Sequence, residues 1–414
     1  MDVNQSLELL AGLSPAQFMR RHWQKKPLLV RQAIPGMQPV LSRAELFKLA
    51  AREHVESRLI AQQAKGWRMK QGPFAARSLP PLSQQAWTLL VQGVDLHDAG
   101  AHALLQKFRF VPDARLDDLM ISFATPGGGV GPHFDSYDVF LLQASGRRRW
   151  KIGRQKDLTL QEGMPLKILQ NFEPEEEFVL EAGDMLYLPP RYAHDGIAEA
   201  PDRGGGSGGK AADCMTYSIG FRAPGRSEIA AELLHRLAEF SEDRSRDDSE
   251  ADPSAGVRSP SRPASLYRDP DQVATAAPAA LPPGLAAFAG QAVLDALKDP
   301  LAVACALGEY MTEPKSSVWF DEAVHGWDAD AARAGQAGVQ LDVRTKMMYD
   351  TNHVFINGES YRAKGSDAVL MHRLADQRCL SPRELRKASV SAMTLLGDWH
   401  DAGWLQQEPV STDS

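Results

Sequence analysis

Two histidines and one aspartate in the middle of the chain have the residue types of a mononuclear metal site. His133 and Asp135 lie two positions apart in PGGGVGPHFDSYDVFLLQASGRRRWKIG, and His194 follows the apolar run GDMLYLPP. Side chains two apart on a strand share a face, so His133 and Asp135 are predicted to lie on one side of a strand that runs to Gln143. Two histidines and one carboxylate form the facial triad of non-haem Fe(II) oxygenases, which leaves three metal positions open.

An arginine on the next predicted strand would complete such a site. This strand is expected to pair with the preceding one as a hairpin that turns at 144–146. Trp150 and Ile152 form its apolar face, and Arg148 shares that face, while the other basic residues of RRRWK point away. A buried guanidinium without a partner costs on the order of several kcal/mol, and its planar shape suits a carboxylate. Arg148 is therefore predicted to bind an anion.

The spacing of His133 and Asp135 is weak evidence by itself. With 11 His and 53 acidic residues in 414, chance gives about 1.4 His-x-carboxylate triplets, and the chain has two. The other is His54-Val55-Glu56 in AREHVESRL, which is predicted to be an exposed charged helix with solvated side chains. A lone histidine is usually structural, and an aspartate often caps a turn. The strand context, the later histidine and the inward arginine together favour the metal site.

The flanking segments are predicted to support the strands without taking part in the chemistry. Ser14-Pro15 and Ser42 to Glu45 are typical helix starts, and helical patterns recur at 82–92 and in DAGAHALLQKFRFV. No lysine follows the glycine run at 126–129 in the register of a phosphate loop. This run is therefore expected to be a turn whose backbone lies close to the site.

The last third of the chain is predicted to end in a winged helix. The stretch at about 241–280 is charged and rich in Ser and Pro, which is typical of a disordered linker. A hairpin is expected at His353 to Arg362 with its turn at Asn357-Gly358, then a short helix capped by Ser381 and a longer one to Gly403. The longer helix contains VSAMTLLGDWHDAG, without lysine or arginine, which favours a protein-docking or structural role over DNA reading.

Composition limits the class of protein. The 414 residues suggest two or three domains, and 43% hydrophobic with 24% charged residues is ordinary for a globular protein. Three distant cysteines indicate reduced thiols rather than disulfides or a zinc knuckle. A net charge of -7 makes direct nucleic-acid binding unfavourable. No apolar run approaches the roughly 18 residues of a membrane span, and no signal-peptide pattern is found, so a cytoplasmic protein is expected.

Several motifs carry a family resemblance. HFD, the strand-borne arginine, GDMLYLPPRYAH and the closing strand MTYSIGFRAP resemble the JmjC-type, cupin-related 2-oxoglutarate oxygenases. Within them, PGGGVGPHFDSYDVFLLQASGRRRWKIG is most similar to the bacterial ribosomal oxygenases, which hydroxylate an arginine of the sixteenth large-subunit ribosomal protein. The likeness extends to FMRRHWQKKPLLV and to the helical and winged-helix tail, and it covers most of the chain except two inserts, one of them the glycine-rich loop at 198–214.

The resemblance implies an α+β fold with a double-stranded β-helix (jelly-roll) core, flanking helices, a helical dimerisation segment and a winged-helix domain. The expected division is 1–98 for the N-terminal helical support, 99–224 for the catalytic barrel, 225–312 for the dimerisation region and 313–414 for the winged helix. The helices after the barrel are rich in Ala and Leu, so a homodimer is expected ahead of intrachain packing alone.

The resemblance also implies cofactors and roles. His133, Asp135 and His194 would hold Fe(II), 2-oxoglutarate and O2 would be cosubstrates, and Arg148 would bind the far carboxylate of 2-oxoglutarate. Ser122 would donate either to a backbone carbonyl or to the cosubstrate, and Tyr137 would either touch cosubstrate or substrate or simply pack. The implied enzyme is a protein arginine 3-hydroxylase. The alternatives are a JmjC-type hydroxylase of another protein and an inactive cupin-like binding module.

Overall fold

A computed structural model describes residues 2–63, 66–200, 213–250, 267–268, 270 and 281–409. The chain divides into two units, 1–223 and 224–414. The helices of the first unit are α1 (Pro15–Arg21), α2 (Arg43–Leu49) and α3 (Ala99–Gln106). Its strands are β1 (Leu28–Val30), β2 (Ser57–Gln63), β3 (Gly66–Gln71), β4 (Trp87–Val91), β5 (Leu116–Ala124), β6 (Val139–Ser145), β7 (Arg148–Gly153), β8 (Glu176–Leu180), β9 (Met185–Leu188), β10 (Ala193–Ala198) and β11 (Cys214–Phe221).

Two antiparallel sheets form the first unit. The larger has the strand order β1-β9-β6-β11-β5-β4-β2-β3, and the smaller has the order β10-β7-β8. Alternate apolar side chains of β6 and β9 join those of β7 and β8 in one buried cluster, with Val139 and Leu141 on one side and Trp150, Ile152 and Leu180 on the other. The second face of the large sheet packs against α1, α2 and α3 in a larger core. The strands β6 and β9 of the large sheet are thus covered on both faces.

The predicted hairpin of β6 and β7 is wrong. β6 pairs with β9 and β11, whereas β7 pairs with β8 and β10, so the chain passes from one sheet to the other between them. Gly146 makes the crossing with a φ of 64°, and a Cβ there would lie 2.9 Å from the Cα of Cys214. The predicted faces nevertheless hold for β7, since Arg148, Trp150 and Ile152 are buried.

The helix predicted at 82–92 is also wrong. Trp87–Val91 is the strand β4, buried along its whole length and paired with β2 and β5. A short run in which four of five residues are apolar fits a strand covered on both faces as well as it fits a helix, and here pairing with two neighbours decides. The expected helix in AREHVESRL likewise does not form, because α2 ends at Leu49 and β2 begins at Ser57. The helix starts at Ser14 and Ser42 are confirmed as capping boxes.

The second unit combines helices with two small sheets. Its helices are α4 (Arg226–Glu250), α5 (Pro283–Ala296), α6 (Pro300–Thr312), α7 (Ala329–Ala334), α8 (Gly365–Gln377), α9 (Pro382–Leu385) and α10 (Val390–Asp401). Its strands are β12 (Ala337–Leu341), β13 (Met347–Tyr349), β14 (His353–Ile356), β15 (Glu359–Arg362), β16 (Cys379–Leu380) and β17 (Leu405–Pro409). β14 and β15 form the predicted hairpin, and Asn357 and Gly358 both have positive φ in its turn.

The two segments predicted to be flexible, the linker at about 241–280 and the glycine-rich loop at 198–214, are only partly described by the structure. α4 continues to Glu250, past the expected linker start near 241, and this stretch contains neither glycine nor proline, the two residues that oppose a helix most. Most of the remaining linker and residues 201–212 of the glycine-rich loop lie outside the described residues. Within the described part of the chain, no helix has the length and apolar character needed to cross a membrane.

We predict that Gly146→Ala destabilises the first unit more than Gly163→Ala does. Both glycines have positive φ, but a Cβ at Gly163 meets nothing within 4 Å, whereas at Gly146 it meets the backbone of β11. Gly163→Ala should cost about 1 kcal/mol from backbone strain, and Gly146→Ala about 3 kcal/mol or more. Differential scanning calorimetry of both variants measures this. Equal Tm values would contradict the close crossing of the chain at Gly146.

Candidate active site

The structure brings together the three side chains that the sequence predicts as metal ligands. One ligand atom from each of His133, Asp135 and His194 lies within 4.8 Å of the others. The Nε2 of His194 is 3.7 Å from an Oδ of Asp135, and the centroids of the two imidazole rings are 4.2 Å apart. These separations let three side chains reach one ion, and the two-nitrogen, one-oxygen donor set suits Fe(II).

Backbone hydrogen bonds set this spacing. The amide of His133 donates to the carbonyl of His194 at 3.0 Å, and the amide of His194 donates back to the carbonyl of His133 at 2.8 Å. The carbonyl of Asp135 accepts from the amide of Arg191 at 2.7 Å. The histidines are thus locked opposite each other by a single antiparallel bridge.

The prediction that His133 begins a strand running to Gln143 is wrong in detail. Regular pairing in this strand starts only at Val139, and Phe134 and Ser136 line the same cavity as His133 and Asp135. The reason is the bridge between the two histidines, which draws this segment away from the large sheet toward β10. The strict alternation of faces therefore does not apply before β6.

Both imidazole rings present Nε2 to the site. Nδ1 of His133 lies 2.8 Å from the carbonyl oxygen of Gly131, and Nδ1 of His194 lies 2.9 Å from that of Tyr192. A carbonyl oxygen only accepts, so each Nδ1 carries the hydrogen and each Nε2 keeps its lone pair. Burial, with a smaller contribution from His133, lowers the pKa of His194 to about 4. His194 is therefore neutral near pH 7, as a metal ligand must be.

Gly131 supports His133 in a position that tolerates no side chain. Its φ is 79°, and a Cβ would lie 2.7 Å from Cδ1 of Ile168 and 2.8 Å from the ring of Trp67. Glycine is required here because its positive φ turns the carbonyl toward the imidazole of His133 in this confined space. The glycine run at 126–129 also lies close to other backbone, since a Cβ at Gly128 would meet the carbonyl of Trp87 at 2.4 Å.

Arg148 is buried in the same cavity with unused donors. Only 3% of its surface is exposed. Its Nη1 donates to the carbonyl of Gly196 at 3.2 Å, while its Nε and Nη2 have no partner in the part of the chain that the structure describes. A buried cation with two free N–H groups needs an anion, and a carboxylate would accept from both. The cavity, about 570 Å³, is large enough for a small dicarboxylate together with a substrate side chain.

Ser122 and Tyr137 also line this cavity, in different ways. The buried Ser122 hydroxyl donates to the carbonyl of Thr216 at 3.2 Å, so it has the backbone partner that the sequence leaves as one of its two options. Tyr137 keeps 39% of its surface exposed, although its hydroxyl is shielded by nearby atoms. This shielding, followed by the charge of Asp135, raises the pKa of Tyr137 above its usual range. Tyr137 is therefore a neutral phenol near the metal ligands.

Polar groups of the cavity that the sequence analysis missed come from the strands β11 and β2. Thr216 of β11 donates through Oγ1 to Oε1 of the buried Gln143 at 2.8 Å, and Arg58 of β2 donates to Gln92 at 2.8 Å. The alternation of Thr216 and Ser218 with apolar residues in MTYSIGF is a signal that predicts their common face. Arg58 gave no such signal, because its segment was predicted to be a helix. The N-terminal strands therefore form part of the cavity wall, contrary to expectation.

We predict that His133→Ala and His194→Ala each weaken Co(II) binding by more than about 100-fold. Changes to residues that only support a ligand already cost about 10–100-fold, and these variants remove a ligand itself. Titration calorimetry of the metal-free protein measures the affinity. His54→Ala is the matched control, since the exposed His54 belongs to the other His-x-carboxylate triplet. Unchanged affinity in either of the first two variants would contradict the site.

Two domain models and several curated proteins match the sequence. A JmjC domain model matches residues 103–229, and a ROXA-like winged helix model matches residues 295–406. The ribosomal protein uL16 3-hydroxylase of Escherichia coli (strain K12) is 40% identical over 226 residues, which cover 54% of this chain and 56% of that protein. A probable ribosomal oxygenase of Haemophilus influenzae is 34% identical over 222 residues, 52% of each. The matched part thus spans about half the length of these curated relatives.

Solved structures match along nearly the whole chain. The X-ray structure of E. coli YcfD has a TM-score of 0.77 at 29% identity and covers 95% of this chain and 98% of that one. A structure of the E. coli ribosomal oxygenase YcfD in complex with cobalt and 2-oxoglutarate has a TM-score of 0.74 at 28% identity, with the same coverage. The predicted JmjC/cupin-like core and C-terminal winged helix are confirmed. The chain thus contains a JmjC domain and a ROXA-like winged helix, and it is similar to the ribosomal oxygenases of E. coli and H. influenzae.

Proposed function

We propose that the chain is an Fe(II)- and 2-oxoglutarate-dependent oxygenase that hydroxylates carbon 3 of an arginine in ribosomal protein uL16. One observation carries the chemical part of this proposal. The three candidate metal ligands and a buried guanidinium, whose Nε and Nη2 have no partner among the described residues, line the same cavity. A metal site alone or a buried arginine alone has many uses, but the two together fit a chelating dicarboxylate.

Each residue has a defined task in this proposal. His133 and His194 bind the iron through Nε2, Asp135 binds it through a carboxylate oxygen, and Arg148 binds the carboxylate of 2-oxoglutarate that is remote from the metal. When bound, iron, 2-oxoglutarate and O2 supply the oxidation: one oxygen atom enters succinate as CO2 leaves, and the other becomes the new hydroxyl. The hydrogen bonds from Nδ1 to backbone carbonyls hold both rings in the binding orientation without help from the ligand.

The remaining residues position the reactants. We assign Ser122 to the wall beside the cosubstrate, because its hydroxyl is fixed at the cavity surface by the carbonyl of Thr216. Tyr137 lies closer to solvent, where its neutral phenol is placed to touch the substrate side chain. The apolar side chains of β6 around them keep water away from the metal.

The substrate part of the proposal is supported by the relatives. The E. coli protein with 40% identity is called a ribosomal protein uL16 3-hydroxylase, and the H. influenzae protein is called a probable ribosomal oxygenase. Hydroxylation of another protein is the second candidate, since a relative from Drosophila persimilis with 26% identity over 205 residues is called a bifunctional lysine-specific demethylase and histidyl-hydroxylase. An inactive binding module has no need for both the triad and Arg148.

The domain boundaries at 98, 224 and 312, and a cytoplasmic location beside the ribosome, remain part of this proposal. A homodimer through α5 and α6 belongs to it as well. Six large apolar side chains of these two helices and the turn between them are more than a third exposed: Leu285, Val293, Leu294, Leu297, Leu301 and Leu307. An exposed apolar surface of this extent is typical of a protein interface.

The substrate is tested by mass spectrometry of purified uL16 after incubation with the protein, Fe(II) and 2-oxoglutarate. We expect a gain of one oxygen on one arginine, abolished by His133→Ala. Arg148→Ala should raise the KM for 2-oxoglutarate by about 10–100-fold, because it removes charge-assisted hydrogen bonds to the carboxylate. An unmodified uL16 with continued succinate formation would overturn the substrate and keep the oxygenase. No succinate from the iron-loaded protein would overturn both.

We predict that Leu294→Glu shifts the protein from dimer to monomer in sedimentation velocity experiments. A carboxylate buried in an apolar interface loses its hydration without gaining a hydrogen-bond partner, which destabilises the dimer. Val369→Glu is the control, since Val369 is also exposed but lies on α8, away from the α5 and α6 segment in sequence. A wild-type protein that sediments as a monomer would contradict the proposed dimer.

A further inference from the structure

The position of the Trp150 ring in the cavity requires a glycine at residue 196. Trp150 lies between Arg148 and Ile152 on β7 and pairs with Gly196 of β10. A Cβ at Gly196 would be 2.5 Å from the indole ring, so the ring covers this glycine and reaches across β10. Any larger residue at Gly196 would push the ring away from this position.

The ring lies between the metal ligands and Arg148. Its centroid is 5.8 Å from that of the His194 imidazole and 5.8 Å from Cζ of Arg148. The pairing of β10 with β7 gives the same order. His194 pairs with Ile152 and Ala198 pairs with Arg148, and the pair of Gly196 and Trp150 lies between these two pairs. A molecule that binds the metal at one end and Arg148 at the other must therefore pass beside Trp150.

Among the described residues, the indole N–H of Trp150 finds no hydrogen-bond partner. Its Nε1 is buried and the side chain is only 5% exposed. Buried donors are normally paired, and an unpaired one destabilises the protein unless something fills the gap. By contrast, Nε1 of the fully buried Trp87 donates to the carbonyl of Pro81 at 3.4 Å. Arg148, whose Nε and Nη2 are likewise without a partner among the described residues, has its Cζ 5.8 Å from the centroid of the Trp150 ring.

We propose that the indole N–H of Trp150 is a further ligand-binding donor, which binds the same carboxylate of the 2-oxo dicarboxylate as Arg148. This inference rests on the proposed function and adds a residue to it. A carboxylate oxygen has two lone pairs, so one carboxylate accepts from the guanidinium and from the indole together. Gly196 is then a positioning residue, because it holds the ring over β10.

The direct test is NMR of the zinc-loaded protein with ¹⁵N-labelled tryptophan, before and after addition of 2-oxoglutarate. The Trp150→Phe variant assigns the Trp150 indole signal among the eight tryptophans. We expect this signal to move downfield on binding, as a new hydrogen bond to a carboxylate requires. The Trp87 signal is the internal control and should stay in place, since its donor is already paired.

Calorimetry gives an independent measure. Replacement of Trp150 by benzothienylalanine, which keeps the ring shape and removes the N–H, should raise the Kd for 2-oxoglutarate about tenfold without changing the Zn(II) affinity. Gly196→Ala should also weaken the binding of 2-oxoglutarate, because the added Cβ displaces the indole ring of Trp150. An unmoved Trp150 signal in a wild-type protein that binds 2-oxoglutarate would overturn the inference and leave the proposed function intact. No binding of 2-oxoglutarate to the wild type would overturn both.

Discussion

The mutual backbone bridge between His133 and His194 is the interaction on which the rest of the site depends. It ties the segment before β6 to β10 of the small sheet, through amide and carbonyl groups that do not change with pH or metal. Because the two backbone hydrogen bonds of this bridge join the histidines to each other, the backbone of one cannot shift without breaking its bonds to the other. The protein thus holds two nitrogen ligands opposite each other before any metal arrives, which lowers the entropic cost of binding.

The same bridge explains why metal and anion sites share one cavity. β10 carries His194 at one end and contacts Arg148 through Gly196 two residues later. The separation of His194 and Arg148 is therefore set by the rise along one strand, which is fixed by backbone geometry. In the proposed function, this separation would select a dicarboxylate of matching length, and the guanidinium of Arg148 would disfavour an uncharged ligand of the same shape.

The sequence predicts the residues of the candidate site but not the pairing of the strands. Residue types and segment context point to His133, Asp135 and His194, while alternation along β7 predicts the buried face that Arg148 shares with Trp150. Alternation does not reveal which strand lies next to which, so β6 and β7 were expected to pair although they belong to different sheets. The apolar run of β4 was ambiguous for a related reason, since only its tertiary neighbours distinguish a buried strand from a helix. The sequence analysis does not place Arg58 at the cavity for the same reason, because its segment, which forms β2, is predicted to be an exposed helix.

The central claim is that metal and dicarboxylate occupy one cavity and bind each other. The most direct measurement is the Kd for 2-oxoglutarate, determined without oxygen in the presence and absence of Fe(II). We expect Fe(II) to tighten the binding of 2-oxoglutarate, and 2-oxoglutarate to tighten the binding of Fe(II) by the same factor, as linkage requires. Equal affinities with and without the metal would show that the two sites are separate and would contradict the account.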